Sequence, residues 1–265
     1  MAATNSSSSA TTTMTYEKWL TLPRPRTFYR RELKPPCVAF SSGDGRQLFR
    51  EALVAGTMEC YFRLAEQFRT QDEVAFCGLS TLTMVLNALA VDPGRVWKGP
   101  WRWYDESMLD CCAPLETVKD KGITLATLSC LARCNGLSVD VARTDTHTLE
   151  DLRAVVEECS SAEPGRVVVV SYDRRGLKQT GTGHFSPVGG YHKEKDLVLI
   201  LDTARFKLPP TGCRSRCCGK RCSGWTPRRT GREATWWSRR RIACRTASST
   251  RTRETTRTGP RLHRG

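Results

Sequence analysis

Gln71-Asp72-Glu73-Val74-Ala75-Phe76-Cys77-Gly78-Leu79-Ser80, followed by an apolar run to Leu89, is the stretch whose reading decides the fold. Leu79, Leu82, Leu86 and Leu89, with Val85 beside them, fall at three- and four-residue steps and predict a helix with one apolar stripe. Cys77 stands where that helix begins. A thiol there faces unpaired backbone N–H groups and the positive end of the helix dipole, and both favour the nucleophilic thiolate. An isolated cysteine is more often a small buried hydrophobe, so the rest of the chain must decide between the two readings.

Outward from this helix, Gln47 to Met58 reads as a helix with Leu48, Phe49, Ala52 and Leu53 on one side, and Tyr61 to Phe68 continues in helical spacing. Asp92-Pro93-Gly94 is a turn signal, and the aromatic, mixed-charge stretch Lys98 to Cys112 covers a core edge or lines a groove. Thr124 opens a short helix through Leu131 to Cys134, closed by Asn135-Gly136. The period then changes. Val167 to Tyr172, His184 to Tyr191 and Leu197 to Leu201 are β-branched or apolar runs, with His192 to Asp196 as a hairpin loop. A helical first half and a stranded second half predict an α+β domain, a helical lobe packed on an antiparallel sheet.

The formal charge of +15 is unevenly spread. Residues 211–265 hold 16 of the 42 Lys and Arg and two acids, which leaves 26 basic and 25 acidic residues in 1–210. The basicity therefore belongs to the tail, and the domain has no electrostatic footprint for a specific nucleic acid. No apolar run reaches membrane-spanning length, and the Ser/Thr-rich start lacks a charged n-region and an apolar h-region. A cytoplasmic chain with reduced thiols is expected, without a membrane partner.

A thiol nucleophile needs a base, and the base needs an orienting group. His147 lies in a polar loop and His192 at the presumed hairpin tip. His184 opens a strand after Gly181-Thr182-Gly183, where glycine permits close approach of a ligand. Asp202 closes the strand Leu197-Val198-Leu199-Ile200-Leu201, and a carboxylate there is costly to bury without a partner. In a hairpin the start of one strand lies across from the end of the next, so His184 and Asp202 can meet on the sheet rim facing Cys77. The order Cys, His, Asp on a helix-then-sheet chain is the papain-type arrangement.

Residues from about Phe28 to Pro210 resemble phytochelatin synthase, the glutathione γ-glutamylcysteinyltransferase of plants and some other eukaryotes. The stretches that carry the resemblance are Thr70-Gln71 through Leu79, Val85 to Leu89, Asp92 to Arg95, Trp97-Lys98-Gly99-Pro100-Trp101-Arg102-Trp103, Asp105 to Cys112, Gln179-Thr180-Gly181-Thr182-Gly183-His184-Phe185-Ser186-Pro187, and Asp202 with Ala204 to Lys207. The resemblance implies a papain-like fold with Cys77 as nucleophile, His184 as base and acid, Asp202 as orienter and Gln71 as oxyanion donor. It places Arg205 and Gly183 at the substrate, with Arg174 and Lys207 as candidates for a second glutathione. The implied reaction is metal-activated synthesis of phytochelatins from glutathione through a Cys acyl-enzyme, for heavy-metal detoxification. Cd2+, Zn2+ or a similar ion would act mainly as metal–glutathione thiolate, with no covalent cofactor. Glutathione, phytochelatins and heavy-metal ions are the partners implied, and a homodimer is left open. Cys111, Cys112, Cys130 and Cys134 are candidate metal ligands beside the reading of structural cysteines. Cys130 and Cys134 lie one helical turn apart.

After Pro209-Pro210 the resemblance stops. Residues 211–265 contain one Leu, one Ile and no Val, Phe, Tyr or Met. Codons for His-Trp-Val-Pro-Leu-Ala-Leu-Leu-Trp-Glu-Ala-Met, read one base later, give the text from Thr211 to Cys222, so the tail reads as a family gene out of frame. The expected organisation is a disordered extension over 1–25, a catalytic domain over 26–210 truncated at its C-terminal side with an incomplete sheet, and a disordered Arg/Cys/Trp-rich tail over 211–265. Competing readings are an inactive, unstable product of the same gene, a metal binder through Cys213, Cys217, Cys218 and Cys222, and a nucleic-acid binder through the basic tail.

Overall fold

The computed structural model describes residues 31–161, 165–215 and 233–239. The expected extension over 1–25 lies outside them. In chain order the elements are β1 Val38–Ala39, α1 Gly43–Val54, α2 Glu59–Glu66, α3 Cys77–Ala88, α4 Leu115–Lys121, α5 Leu125–Cys134, β2 Leu137–Arg143, α6 Leu149–Ser161, β3 Arg166–Tyr172, β4 His184–His192, β5 Leu197–Ile200, β6 Thr211–Arg214 and β7 Glu233–Arg239. All seven strands join one antiparallel sheet, in the order β1-β6-β5-β4-β3-β7-β2. Helix and antiparallel sheet are thus mixed, as the periodicity predicts.

The valine run of β3 explains how the layers stack. Side chains alternate across a strand. Val167 and Val169 enter one apolar cluster, with Leu79, Leu82, Leu86 and Leu128. Val168, Val170 and Tyr172 enter the other, with Leu149, Leu152 and Val156 of α6. The sheet is therefore covered on both faces, and every residue of β4 is buried. This differs from the expectation of helices in the first half and strands in the second. β2 and α6 interrupt that order; Leu137 to Arg143 mixes polar and apolar residues and α6 is charged on its open side, which dilutes the periodic signal of both.

α3 is also deeper than its leucine stripe predicts. Ser80, Thr81 and Thr83 are buried along with the apolar residues, so the helix is enclosed nearly all round. Small hydroxyl side chains allow this by letting neighbours approach. α1 begins at Gly43 instead of Gln47, because the Ser42 hydroxyl caps it by accepting from Gly45 N–H at 3.0 Å.

The expectation of disorder after Pro210 is corrected at two segments. Thr211–Arg214 pairs with both β5 and β1, and Thr211 and Cys213 point inward and are buried. Glu233–Arg239 fills the position between β3 and β2. A ladder is built from backbone N–H and C=O groups, which a segment poor in apolar residues still possesses. Among the described residues the sheet is continuous, with β1 and β2 at its edges, so the expectation of an incomplete sheet is also corrected. Cys217, Cys218 and Cys222 lie outside the described residues, and Cys213 belongs to the core. No helix among the described residues is long and apolar enough to cross a membrane.

Candidate active site

Cys77 opens α3, and Phe76 at the cap position offers no side-chain hydrogen bond. The first N–H groups of the helix are thus left without a side-chain cap at the residue that carries the thiol. The helix is fixed against β4 at two points. The Thr81 hydroxyl donates to the Phe185 carbonyl at 3.2 Å, and Gly78 packs so closely on Ile123 and Phe185 that a methyl group would collide. That contact sets the half-buried thiol beside His184, the first residue of β4.

His184 Nε2 lies 2.8 Å from Asp202 Oδ1, and both side chains are buried. β5 pairs antiparallel with β4, and Leu201 N–H donates to the Pro187 carbonyl, so the chain leaves β5 alongside the start of β4. Asp202 Oδ1 also accepts from Ala204 N–H at 2.9 Å, and Oδ2 faces Arg174 Nη2 at 2.7 Å and the Tyr172 hydroxyl at 3.5 Å. The Tyr172 ring meets the imidazole edge-on, with centroids 5.7 Å apart. Arg174 Nη2 lies 2.8 Å from the same Nε2, so both neighbours meet one ring nitrogen and Nδ1 is the nitrogen left for the Cys77 thiol.

Burial opposes the charged form of each group, and neighbouring charges decide the outcome. The Cys77 thiol would be pushed up by burial, but His184, Phe185 N–H and the Arg174 charge hold it below its ordinary value. Burial would lower His184, but Cys77 and Asp202 hold it above its ordinary value. Burial would raise Asp202, but His184, Arg174 and Ala204 N–H bring it down to about 2. These directions favour a thiolate–imidazolium pair over the neutral pair.

Gln71 is buried and tied to the residue after Asp202. Its N–H donates to the Thr203 carbonyl at 3.1 Å, and the Thr203 hydroxyl donates to its Oε1 at 3.2 Å. Its Nε2 donates to the carbonyls of Glu73 and Val74, each at 2.8 Å. Both amide protons are therefore committed, so as placed Gln71 does not offer the free oxyanion donor that the resemblance implies. It instead holds the loop that leads into Cys77.

The four residues expected at substrate separate into two groups. Arg174 is buried, with Nη1 donating to Gln179 Oε1 at 2.9 Å and Nη2 against Asp202. It does not face solvent, and its Nη2 is engaged with both His184 and Asp202. Lys207 and Arg205 are half-buried and Gly183 is exposed. Lys207 Nζ donates to the Thr180 carbonyl at 2.6 Å, and burial with the charges of Arg174 and Arg31 lowers its pKa. The Arg205 guanidinium lies 4.8 Å over the Phe68 ring. Gly183 is exposed, with open space where a Cβ would project. His192, expected at a hairpin tip, is the last residue of β4 and is buried against Glu51, Nε2 to Oε2 2.8 Å. His147 is exposed.

Two further groups support the site without having been visible in the sequence. Tyr172 closes the far side of the His184–Asp202 pair. Glu106 is 1 % exposed; its Oε2 accepts from Asp72 N–H at 3.1 Å, and Oε1 lies 3.6 Å from Arg69 Nε. Burial pushes its carboxyl up to about 7 against the pull of Arg69. In the sequence Glu106 is one acid in a mixed-charge stretch, with no signal that it is buried.

A sequence model described as Phytochelatin synthase matches residues 28–217, seven residues past the break expected at Pro210. The chain is 58 % identical over 183 residues to a Lotus japonicus protein named glutathione gamma-glutamylcysteinyltransferase 3, covering 69 % of this chain and 38 % of that protein. It is 56 % identical over 184 residues to glutathione gamma-glutamylcysteinyltransferase 2 of Arabidopsis thaliana, covering 69 % and 40 %. A Schizosaccharomyces pombe glutathione gamma-glutamylcysteinyltransferase is 50 % identical over 184 residues, covering 69 % and 44 %. The chain thus spans about two fifths of the length of these relatives. A double glycine motif protease from an AMS/PCAT transporter, solved with its leader peptide, is similar at 15 % identity and a TM-score of 0.39, over 64 % of this chain and 89 % of that one.

Proposed function

Because this chain belongs to the phytochelatin synthase family, we propose that it is a papain-like γ-glutamylcysteine dipeptidyl transferase that builds phytochelatins from glutathione. The observation that carries the reading is the contact of Cys77 with an imidazole whose other nitrogen lies 2.8 Å from a buried carboxylate, all within the family match. The relatives' names supply the substrate and the group transferred.

The steps follow from the protonation states. The Cys77 thiolate attacks the carbonyl of the Cys–Gly bond of glutathione. A new S–C bond forms, and as the C–N bond breaks the His184 imidazolium gives its proton to the departing glycine amine. The γ-Glu-Cys acyl group remains on sulfur. The amine of a second glutathione then attacks this thioester, His184 takes its proton, and the Cys77 thiolate is released. Asp202 keeps the ring oriented and stabilises its charged form. Backbone N–H groups at the start of α3 suit the developing oxyanion. Gln71 would join them after exchanging one of its carbonyl partners. Arg205 and Lys207 are the cations suited to the glutathione carboxylates. Cd2+ or Zn2+ enters as part of the substrate, bound to the glutathione thiolate. The reduced thiol and the glutathione supply suit a cytoplasmic setting.

The test is direct. Purified chain is incubated with glutathione and Cd2+, and γ-Glu-Cys oligomers are sought by mass spectrometry, with Cys77→Ser as control. The expected result is oligomers from the parent only, together with a γ-Glu-Cys adduct on Cys77. Oligomers from Cys77→Ser would overturn the nucleophile assignment. Folded parent protein that makes none would overturn the transferase reading in favour of an inactive family product.

A further inference from the structure

A second group of sulfurs lies at the end of α5. Cys130 and Cys134 are one turn apart on that helix, and the loop after the 3-10 turn Glu106–Met108 brings Cys111 and Cys112 to them. The Sγ atoms of Cys111 and Cys112 are 3.9 Å apart, those of Cys112 and Cys134 3.6 Å, and Cys112 is disulfide-bonded to Cys130. The sulfurs of Cys111, Cys112 and Cys134 all lie within 4.8 Å of one another. A tetrahedral thiolate site with Zn–S of about 2.3 Å has edges of about 3.8 Å. The Cys111–Cys112 and Cys112–Cys134 edges are already close to that length. Cys111, Cys130 and Cys134 are exposed, so an ion and a reductant can both reach them. Cys134 is the last residue of α5, where the helix carbonyls favour a cation.

We propose that Cys111, Cys112, Cys130 and Cys134 form a soft-metal tetrathiolate site that is open in the reduced chain and closed by the Cys112–Cys130 disulfide. Four thiolates in a tetrahedron select soft ions such as Cd2+ and Zn2+ over hard ones. Two equivalents of a monothiol reduce the disulfide to two protein thiols and leave as one small disulfide. One divalent ion then displaces four protons and binds four sulfurs. In the oxidised chain only the sulfurs of Cys111 and Cys134 remain as ligands, too few to close the shell. The site is separate from the thiol that opens α3, and the proposal does not rest on the transferase reading.

The experiment uses the full chain carrying Cys77→Ser and serine at Cys217, Cys218, Cys222 and Cys244, which removes the candidate nucleophile and competing tail thiols. The protein is reduced with a phosphine, desalted anaerobically and titrated with Cd2+. The expected result is one tightly bound Cd2+ per chain, a thiolate-to-cadmium charge-transfer band, proton release, and a 113Cd resonance in the all-sulfur range. Adding Cys111→Ser and Cys134→Ser removes that bound ion, as does oxidation to the disulfide. Circular dichroism establishes that each variant is folded. A folded parent that binds no Cd2+, or unchanged binding in the Cys111→Ser/Cys134→Ser protein or in the oxidised protein, overturns the proposal. Because every protein in the titration lacks the Cys77 sulfur, these outcomes are independent of whether the chain transfers acyl groups.

Discussion

The Arg174 guanidinium lies 2.7 Å from Asp202 Oδ2, with both side chains almost wholly withdrawn from solvent. A lone buried charge is far more costly than a paired one, so this contact is what allows a carboxylate to stand behind His184 in an apolar surround. Arg174→Met would leave Asp202 short of a partner, and breaking such a pair costs about 3–5 kcal/mol. We expect a lower melting temperature and a loss of activity carried by kcat, with Arg174→Lys recovering part of the stability. A variant that melts like the parent and merely raises KM for glutathione would show instead that Arg174 binds substrate.

The directions of the site's ionisations give a pH profile. Cys77 is held below its ordinary value, so its alkylation by iodoacetamide should reach half-maximal rate below pH 9.0. In His184→Ala the imidazole is gone and burial dominates, so that midpoint should move up. His184 is held above its ordinary value by Cys77 and Asp202 against burial. Asp202→Asn should therefore draw the alkaline limb of kcat/KM to lower pH. An unmoved limb, in protein that still folds, would remove Asp202 from its orienting role.

Gly78 follows Cys77 with no room for a side chain, since an added Cβ would meet Ile123 Cγ1 at 2.7 Å and Phe185 Cδ2 at 3.3 Å. Overpacking of this kind costs roughly 1–3 kcal/mol. It also pushes the start of α3 away from β4, and so separates Cys77 from His184. Gly78→Ala should lower kcat by about tenfold or more, since each 1.4 kcal/mol is a factor of ten. Ile123→Ala in the same chain should restore much of it. Absence of rescue would place the defect elsewhere than at this contact.

Glu106 predicts an unusual dependence of stability on pH. Its folded value of about 7 lies above the ordinary 4.5, with burial as the main cause. The folded chain therefore holds this proton more tightly than the unfolded chain. The contribution is fully present below pH 4.5 and is lost as pH rises through about 7. Glu106→Gln should match the parent near pH 4.5 and exceed it at pH 8 by up to about 3 kcal/mol, at about 1.36 kcal/mol per pH unit. Denaturant melts at the two pH values check this; an equal difference at both would refute it.

β2 meets the sheet solely through β7 among the described residues. Ending the chain after Ser215 removes Glu233–Arg239 and leaves Leu137–Arg143 and Arg166–Tyr172 facing an empty ladder position. A lower melting temperature and a greater tendency to aggregate are expected. Equal melting of the two chains would show that this strand contributes nothing to stability.

Much of the fold was legible because it is written at short range. The leucines after Cys77 have helical spacing, the valines of β3 form an unbroken β-branched run, and Thr124 caps α5 through Thr127 N–H at 3.1 Å. The meeting of His184 with Asp202 was legible too, since a short hairpin brings the ends of its strands together whatever surrounds them. β2 and α6 were less visible because their apolar residues are diluted by charges that face solvent. Arg174 reads in the sequence as an ordinary surface cation of Asp173-Arg174-Arg175, and nothing local distinguishes it from Arg175, which stays exposed.

The sequence by itself determined where the helix carrying Cys77 begins, which strand carries His184 and which one leads into Asp202, and which family the chain resembles. Each of these depends on periodicity, on turn residues or on matching text, all of which are properties of neighbouring positions. Only the tertiary structure decided that Arg174 faces Asp202 and not solvent, that Gln71 spends both amide protons on backbone carbonyls, that Glu106 is buried, and that four cysteines from a loop and a helix end converge. Those outcomes are set by contacts between residues far apart in the chain, where burial and the nearest charge determine what a side chain can do.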